Sequence, residues 1–329
     1  MKEAPAIFAL TKKNYLFSGV TLGLGIYCAG LVLCAAYGAT SYFLKNWLFA
    51  GCCVGIALVV IIGDRYFLSL DEIMNELKSN FTTSEVQFEK NERDFRTGIS
   101  NDKIILLLSF PGLLIGVYYT RAILGLSITP SMVLPQPLQG NVLFIAYMLA
   151  LFMFSGYTIF LAIQTVIRIL VFLREIAKSP AKLSLLQVGR RINLTKTNNA
   201  LLALSTAWFI GVSFIMTTLL AFATTVIVIY LATLTIIGLL LFLAPQIFFH
   251  QSIRRSKEAL LRDIESNFSS KVTLPITPEC DPQKALLLCM LFEQVNQIGE
   301  WPLSSSLVLQ LFGSAVIPIA TTIVGLMRF

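Results

Sequence analysis

The chain has 329 residues, 56% of them hydrophobic and only 13% charged, with a formal net charge of +7 and a mean hydropathy of +0.77. Soluble domains carry about 25% charged residues, and the longest polar stretch here, 63–103, is too short to build an independent core. A pair of soluble domains is therefore excluded. The positive excess fits a membrane protein with basic cytoplasmic segments, and no basic cluster interleaves with aromatics as single-strand binders require, so no nucleic-acid partner is expected.

The ionisable residues leave long gaps at 14–44, 46–63, 104–120, 122–167, 197–253 and 301–327. The gap 197–253 holds 57 residues, which as one helix would run roughly 85 Å at 1.5 Å per residue. A bilayer core is about 30 Å thick, so that run must fold back as a hairpin. The gaps predict an all-α polytopic membrane bundle, read as one membrane domain, with seven spans at about 15–42, 46–63, 103–126, 141–168, 199–220, 225–249 and 304–327.

In chain order, Met1 to Lys13 is short and mildly basic, and the apolar run after it is too long for the roughly 7–15-residue core of a signal peptide. It reads as a retained first helix. Gly23 and Gly25 lie inside it, where small residues let helices approach closely. Cys28, Cys34, Cys52 and Cys53 sit in apolar runs and behave as small hydrophobes. The third span contains Pro111-Gly112, a kink that neighbouring helices tolerate. Ser127 to Gly140, with Pro130, Pro135 and Pro137, reads as an extended non-cytoplasmic linker. No turn signal separates the fifth and sixth spans near Phe222–Thr225.

Placing the N-terminus inside makes 1–13, 64–103, 168–196 and 254–300 cytoplasmic; these segments hold 22 of the 25 Lys and Arg residues and all 18 Asp and Glu residues. The reverse orientation would invert that bias. With seven spans the C-terminus lies outside; if 304–327 is re-entrant there are six spans and both ends are inside. The protein is accordingly expected in a cell membrane, plasma or inner, with the bilayer as its first partner.

The cytoplasmic segments 64–102, 169–198 and 250–300 read as helical extensions. Ser69 and Glu72 form a capping-box pattern, followed by Ile73, Leu77 and Phe81 at helical spacing. Ile253, Leu260, Leu261, Ile264 and Phe268 make one stripe, with Glu258 four residues before Arg262. Asp281-Pro282 reads as an N-cap followed by proline at the first helical position. The helix it opens is apolar nearly all round from Ala285 to Phe292. It is expected to pack on the other cytoplasmic helices or a sister subunit rather than lie in the lipid interface. Residues 76–83 match 263–270 at an offset of 187, and the same offset maps the hairpin 15–63 onto 199–249, the pattern of a parallel duplication.

Catalytic patterns are missing. His250 is the one histidine and has no acid beside it in sequence; with Cys280 and Cys289 outside any CxxC spacing, no metal set and no cofactor are indicated. No phosphate-binding G-x-x-x-x-G-K-[ST] loop occurs, and no carboxylate lies within a span, where coupled transporters hold one. No enzyme is expected. The uncharged polar groups in the spans are Gln164, Gln246 and, in the last span, Ser304, Ser305, Ser306, Gln310, Ser314, Thr321 and Thr322. Their ordinary role is interhelical hydrogen bonding; their functional role is a polar lining, for which Gln310, Ser306, Ser314, Thr321 and Thr322 are the candidates. The last span also carries Trp301-Pro302 at its start, Gly313, Pro318 and Gly325. Lys45, Arg121 and Arg328 fall at the outer face, where positive charge disfavours cations. The glycosylation patterns at Asn80, Asn193 and Asn267 fall on the cytoplasmic side and read as chance, aided by the preference of Asn and Ser for helix ends.

Seven spans with the N-terminus inside, cytoplasmic helices after the fourth and sixth, and a final helix preceded by a short one resemble the insect-chemoreceptor-type channels. The resemblance implies a cytoplasmic anchor around a symmetry axis, with Pro282–Gly299 as the short helix and Ser304–Met327 lining the pore. That superfamily's gustatory branch ends its last helix with Thr-Tyr, apolar residues and Gln-Phe. Here the end reads Thr321-Thr322-Ile323-Val324-Gly325-Leu326-Met327-Arg328-Phe329: the tyrosine is replaced, Arg328 stands for Gln, and Pro318 interrupts the helix. The likeness covers topology and almost no residue identity. The leading expectation is a homo-oligomeric channel or channel-like protein with the last span near the conducting axis. Alternatives are a facilitator or transporter built from duplicated halves, and a scaffold or sensor that binds a cytoplasmic protein.

Overall fold

The computed structural model of the protein describes residues 15–45, 47–99, 138, 141–183, 192–219, 225–269, 282–303 and 305–326. Among the described residues the fold is all-helical and has no strand: α1 (Tyr15–Ala36), α2 (Thr40–Lys45), α3 (Trp47–Asn80), α4 (Glu85–Ile99), α5 (Val142–Ala177), α6 (Thr195–Leu219), α7 (Thr225–Ser269), α8 (Pro282–Asn296) and α9 (Ser305–Leu326). Three segments, Gly19–Ala36, Val142–Ala177 and Ala232–Ser266, are long and apolar enough to cross a membrane; Phe49–Gly63, Leu286–Asn296 and Ser305–Val316 are shorter apolar helices. This is the architecture of a membrane-embedded helical protein. The expected third span, 103–126, and the linker 127–140 apart from Leu138 lie outside the described residues.

Three helices run straight from apolar into polar sequence. α3, α5 and α7 have 34, 36 and 45 residues, and their polar ends form one bundle with α4. The capping box expected at Ser69 does not form: α3 passes through it uninterrupted, and the Ser69 hydroxyl donates to the Tyr66 carbonyl at 3.0 Å instead. A serine about six turns into an existing helix finds no free amide to cap. The residues after it behave as expected, with Ile73, Leu77 and Phe81 buried. α4 runs back along this bundle, burying Phe88, Phe95 and Ile99 on one face. Phe88 and Phe95 meet Phe172 of α5 with ring centroids 6.3 and 5.0 Å apart. Arg96 ties α4 to α3 through Asp71 at 2.7 Å.

At the opposite end of the molecule a second core gathers around Phe43, Phe49 and Phe144, with Phe43 and Phe49 stacked at 4.5 Å. Asn141 starts α5 by accepting the amides of Leu143 and Phe144, both at 3.0 Å, the N-cap role of a short polar side chain. Of the glycines read as packing residues, Gly23 faces α3 so closely that a Cβ would meet the Cys53 carbonyl oxygen at 2.8 Å, whereas nothing lies near Gly25. The partner of Gly23 is Gly19, where a Cβ would meet the Ala57 carbonyl oxygen at 2.9 Å. The operative spacing is therefore four residues, one turn of helix, and it lets the backbones of α1 and α3 touch.

Two expectations about the later helices need correction. Glu258 bonds Arg254 at 2.8 Å, not Arg262, whose guanidinium turns to the Glu258 backbone carbonyl at 3.3 Å. And α8, which starts at Pro282 as expected, is not buried by the other described helices. It rests on α7, and Val295 with Ile298 just beyond its end is covered, while Leu286, Leu287 and Met290 are 59, 59 and 54% exposed. Asp281 and the side chain of Phe268 lie outside the described residues.

Candidate functional site

The polar side chains converge where α3, α5, α6, α7 and the α8–α9 corner meet. α3 and α5 leave the bundle side by side: Phe81 and Ala181 form an antiparallel bridge, with the Thr82 amide donating to Pro180 O at 2.9 Å and the Lys182 amide to Asn80 O at 2.8 Å. α7 locks onto the same turn, since the Ser252 hydroxyl donates to Ser179 O and the Ser256 hydroxyl accepts the Ala181 amide, both at 2.7 Å.

α6 begins with free backbone amides that need an acceptor. Glu76 of α3 supplies it: its two carboxylate oxygens accept the Lys196 and Thr197 amides at 2.9 and 2.7 Å, and the Thr197 hydroxyl at 2.6 Å. A carboxylate on a helix N-terminus is favoured by both hydrogen bonding and the helix dipole. Lys196 adds an ion pair to Glu72 at 2.9 Å. Two of the glycosylation patterns turn out to be parts of this corner. The Asn80 side-chain amide donates to Asn193 O at 2.9 Å, and Asn193 accepts the Thr195 hydroxyl at 2.7 Å.

The α8–α9 corner is held from three sides. Lys257, 7% exposed, donates to the carbonyls of Asn296 and Ile298 at 2.8 and 3.3 Å and pairs with Glu300 at 3.3 Å. A cation on the last carbonyls of a helix satisfies acceptors that the helix itself leaves open. His250 stacks on Trp301 at 4.2 Å, and its Nδ1 lies 3.3 Å from Glu300 O, which puts the ring proton on that nitrogen. Asn198, also buried, donates to Pro302 O at 2.9 Å and accepts from Gln246 at 2.9 Å. The start of α9 is thus fixed to α6 and α7 by buried hydrogen bonds. Gln164 makes a comparable bond to Gly98 O at 2.6 Å, joining α5 to α4. Gln164 and Gln246 both serve interhelical hydrogen bonding.

Among the described side chains, α9 packs on α6 and α7 through Leu307, Leu311 and Ala315. An exposed apolar stripe follows the helical repeat through Leu309, Phe312, Val316, Ile319 and Ile323. Between the two strips lie Ser306, Gln310 and Ser314 at i, i+4 and i+8, of which Ser306 and Gln310 are exposed and Ser314 bonds back to Leu311 O at 2.7 Å. Three of the five expected lining residues therefore share one flank. The side chains of Thr321 and Thr322 lie outside the described residues, as do Arg121 and Arg328; Lys45 is exposed at the end of α2. α9 continues through Pro318 to Leu326 as one helix.

Local reading missed Glu76, Asn198 and Lys257, because each bonds a segment 39 to 121 residues away. The one available signal was a lysine, Lys257, on a helix whose neighbours at i−4 and i+7, Ile253 and Ile264, are buried core. Among the described residues no three His, Cys, Asp or Glu side chains cluster as a metal set. Compared with known proteins, the chain matches no family model, no curated protein and no solved structure.

Proposed function

We propose that the protein is an oligomeric channel or channel-like membrane protein with its N-terminus in the cytoplasm, seven spans, and α9 beside the conducting axis. The observation that carries this reading is the division of α9 into three strips. One strip is used by its own chain. An apolar stripe is left for a neighbouring copy, and a polar flank of Ser306, Gln310 and Ser314 is set well over a third of a turn from that stripe, roughly 140° at 3.6 residues per turn, toward the axis. The uncovered apolar surface of α8 supports the same arrangement, since exposed side chains of that size on one helix call for a partner. The likeness to insect-chemoreceptor-type channels expected from the sequence fits the same arrangement. Positive charge at Lys45, Arg121 and Arg328 would make the outer mouth unfavourable to cations.

The test is purification in mild detergent followed by flux in liposomes. The reading expects an oligomer, measurable passage of small anions or neutral solutes, and a change in conductance with Gln310→Leu. A monomer that gives no flux would contradict it. A facilitator of duplicated halves is the rival that has an observation of its own: α1 with α3 and α6 with α7 each pack as a pair whose second helix extends beyond its apolar part. A pseudo-twofold axis along the membrane normal, around a closed central cavity, would favour that rival.

A further inference from the structure

A cleft of about 670 Å³ opens between the polar ends of α5 and α7, lined on one side by Arg174 and Lys178 and on the other by Phe248, Arg254, Arg255 and Glu258. Four cations face one carboxylate; counting Glu175, which pairs with Lys178 at 2.6 Å, two positive charges remain in excess. Glu258 answers Arg254, and Arg255 is anchored to Ala177 O at 2.9 Å. Arg174 forms no ion pair with any described residue.

The sequence above the cleft gives it a direction. On α5, Ile167 and Val171 are 53 and 51% exposed, and the same face continues into Arg174 and Lys178 at intervals of three and four residues. On α7, Leu240, Leu243 and Ile247 are exposed, and their face continues into Gln251, Arg254 and Glu258 in the same rhythm. The bonds Ser252–Ser179 and Arg255–Ala177 place the two polar ends at one level. Two parallel stripes thus change from apolar to basic at the same height and flank a common cleft.

From this juxtaposition the structure assigns an anionic phospholipid site: the phosphate of the head group sits among Arg174, Lys178, Arg254 and Arg255, and the acyl chains lie along Ile167, Val171, Leu243 and Ile247. Basic pockets between helices at a membrane surface recognise such head groups, and guanidinium groups match phosphate oxygens in a fork. A free phosphate shares the head-group chemistry, but it would make no use of the apolar stripes. The inference needs the protein to sit in a bilayer and is independent of whether it conducts.

The test uses the purified full chain and native mass spectrometry, titrated with phosphatidylglycerol or phosphatidylcholine of the same acyl chains. Wild type is expected to retain phosphatidylglycerol at least about tenfold more tightly. The double variant R174Q/K178Q should weaken that binding about 30-fold, from two lost basic contacts, with phosphatidylcholine unchanged. K90Q/R93Q removes the same charge from exposed positions on α4 and should change neither. Glu258→Gln leaves the basic groups in place and removes the cleft's lining carboxylate, so it should tighten phosphatidylglycerol binding several-fold even if the double variant fails to fold. Equal retention of both lipids, or equal loss in K90Q/R93Q, overturns the site. So does an unaffected R174Q/K178Q or Glu258→Gln. Displacement by inorganic phosphate alone at the same concentration would assign the cleft to a soluble anion and overturn the lipid.

Discussion

The polar corner and the outer faces of α8 and α9 are neighbours in sequence and opposites in how they are satisfied. At the corner, the chain supplies its own partners: Lys257, Asn198, Glu76 and the Gln246 amide nitrogen are matched by carbonyls, amides and one carboxylate of other segments. On the helices either side of it, Leu286, Met290, Leu309 and Phe312 are 59, 54, 75 and 58% exposed, with nothing among the described residues to cover them. In a bundle that meets lipid, the first kind of residue fixes the fold, and the second marks where lipid or another molecule must take over. The difference teaches that the facing ends of α8 and α9 are held in place while their outer faces are left uncovered by the described residues.

The comparison breaks most severely at Lys257. Lys257→Ala would leave two carbonyls and Glu300 without their cation, at a cost of about 2–3 kcal/mol from hydrogen bonds to a charged group. Thermal unfolding in detergent should show the loss, and an unchanged midpoint would mean that the corner is not held as described. Next comes Glu76→Gln, which keeps the shape but loses the charge on the α6 N-terminus; about 1 kcal/mol is expected, read in the same melts. On the other side of the comparison, L286Q/M290Q should alter monomer stability by less than about 0.5 kcal/mol, as exposed substitutions do. Its effect belongs to self-association, which size-exclusion chromatography with light scattering would report as a shift toward smaller species.

The smallest effect is expected at the exposed pair Lys78–Glu85, 2.6 Å apart. The hydrogen bond and charge of Lys78 hold Glu85 below the ordinary carboxylate range. Any stabilisation from the pair is therefore present above the ordinary glutamate value and lost as pH falls through the depressed one. Solvent screening makes such a pair weak. Glu85→Gln should leave the melting curve at neutral pH within error, and a clear loss there would show that exposed charges matter more to this bundle than buried ones.

Much of the fold was legible because ionised side chains are excluded from hydrocarbon. The gaps between charges coincide with apolar parts of α1, α3, α5, α6, α7 and α9, of which those of α1, α5 and α7 are long and apolar enough to cross a membrane. The first stripe also read correctly, with Ile73, Leu77 and Phe81 buried; in the second, Ile253 and Ile264 are buried while Leu260 and Leu261 are half-buried. Helix ends were less legible. Ser69 looked like a cap but sits inside a helix, whereas α6 takes its capping carboxylate from Glu76, 121 residues before Thr197. Local pattern carries no information about such a pairing. Of the candidate lining, Ser306, Gln310 and Ser314 share one flank that their residue types mark as polar, while the face of α9 that packs is set by α6 and α7.

The claim on which this account depends is that the exposed stripe of α9 lies against a second copy of the chain. Phe312→Cys, placed in a cysteine-free background and oxidised in native membranes, tests it directly. The account predicts a covalent dimer from Phe312→Cys and none from Val86→Cys, an 80% exposed position on the polar helix α4. Phe312→Cys that stays monomeric while reacting fully with a lipid-soluble maleimide would place α9 against lipid and contradict the account.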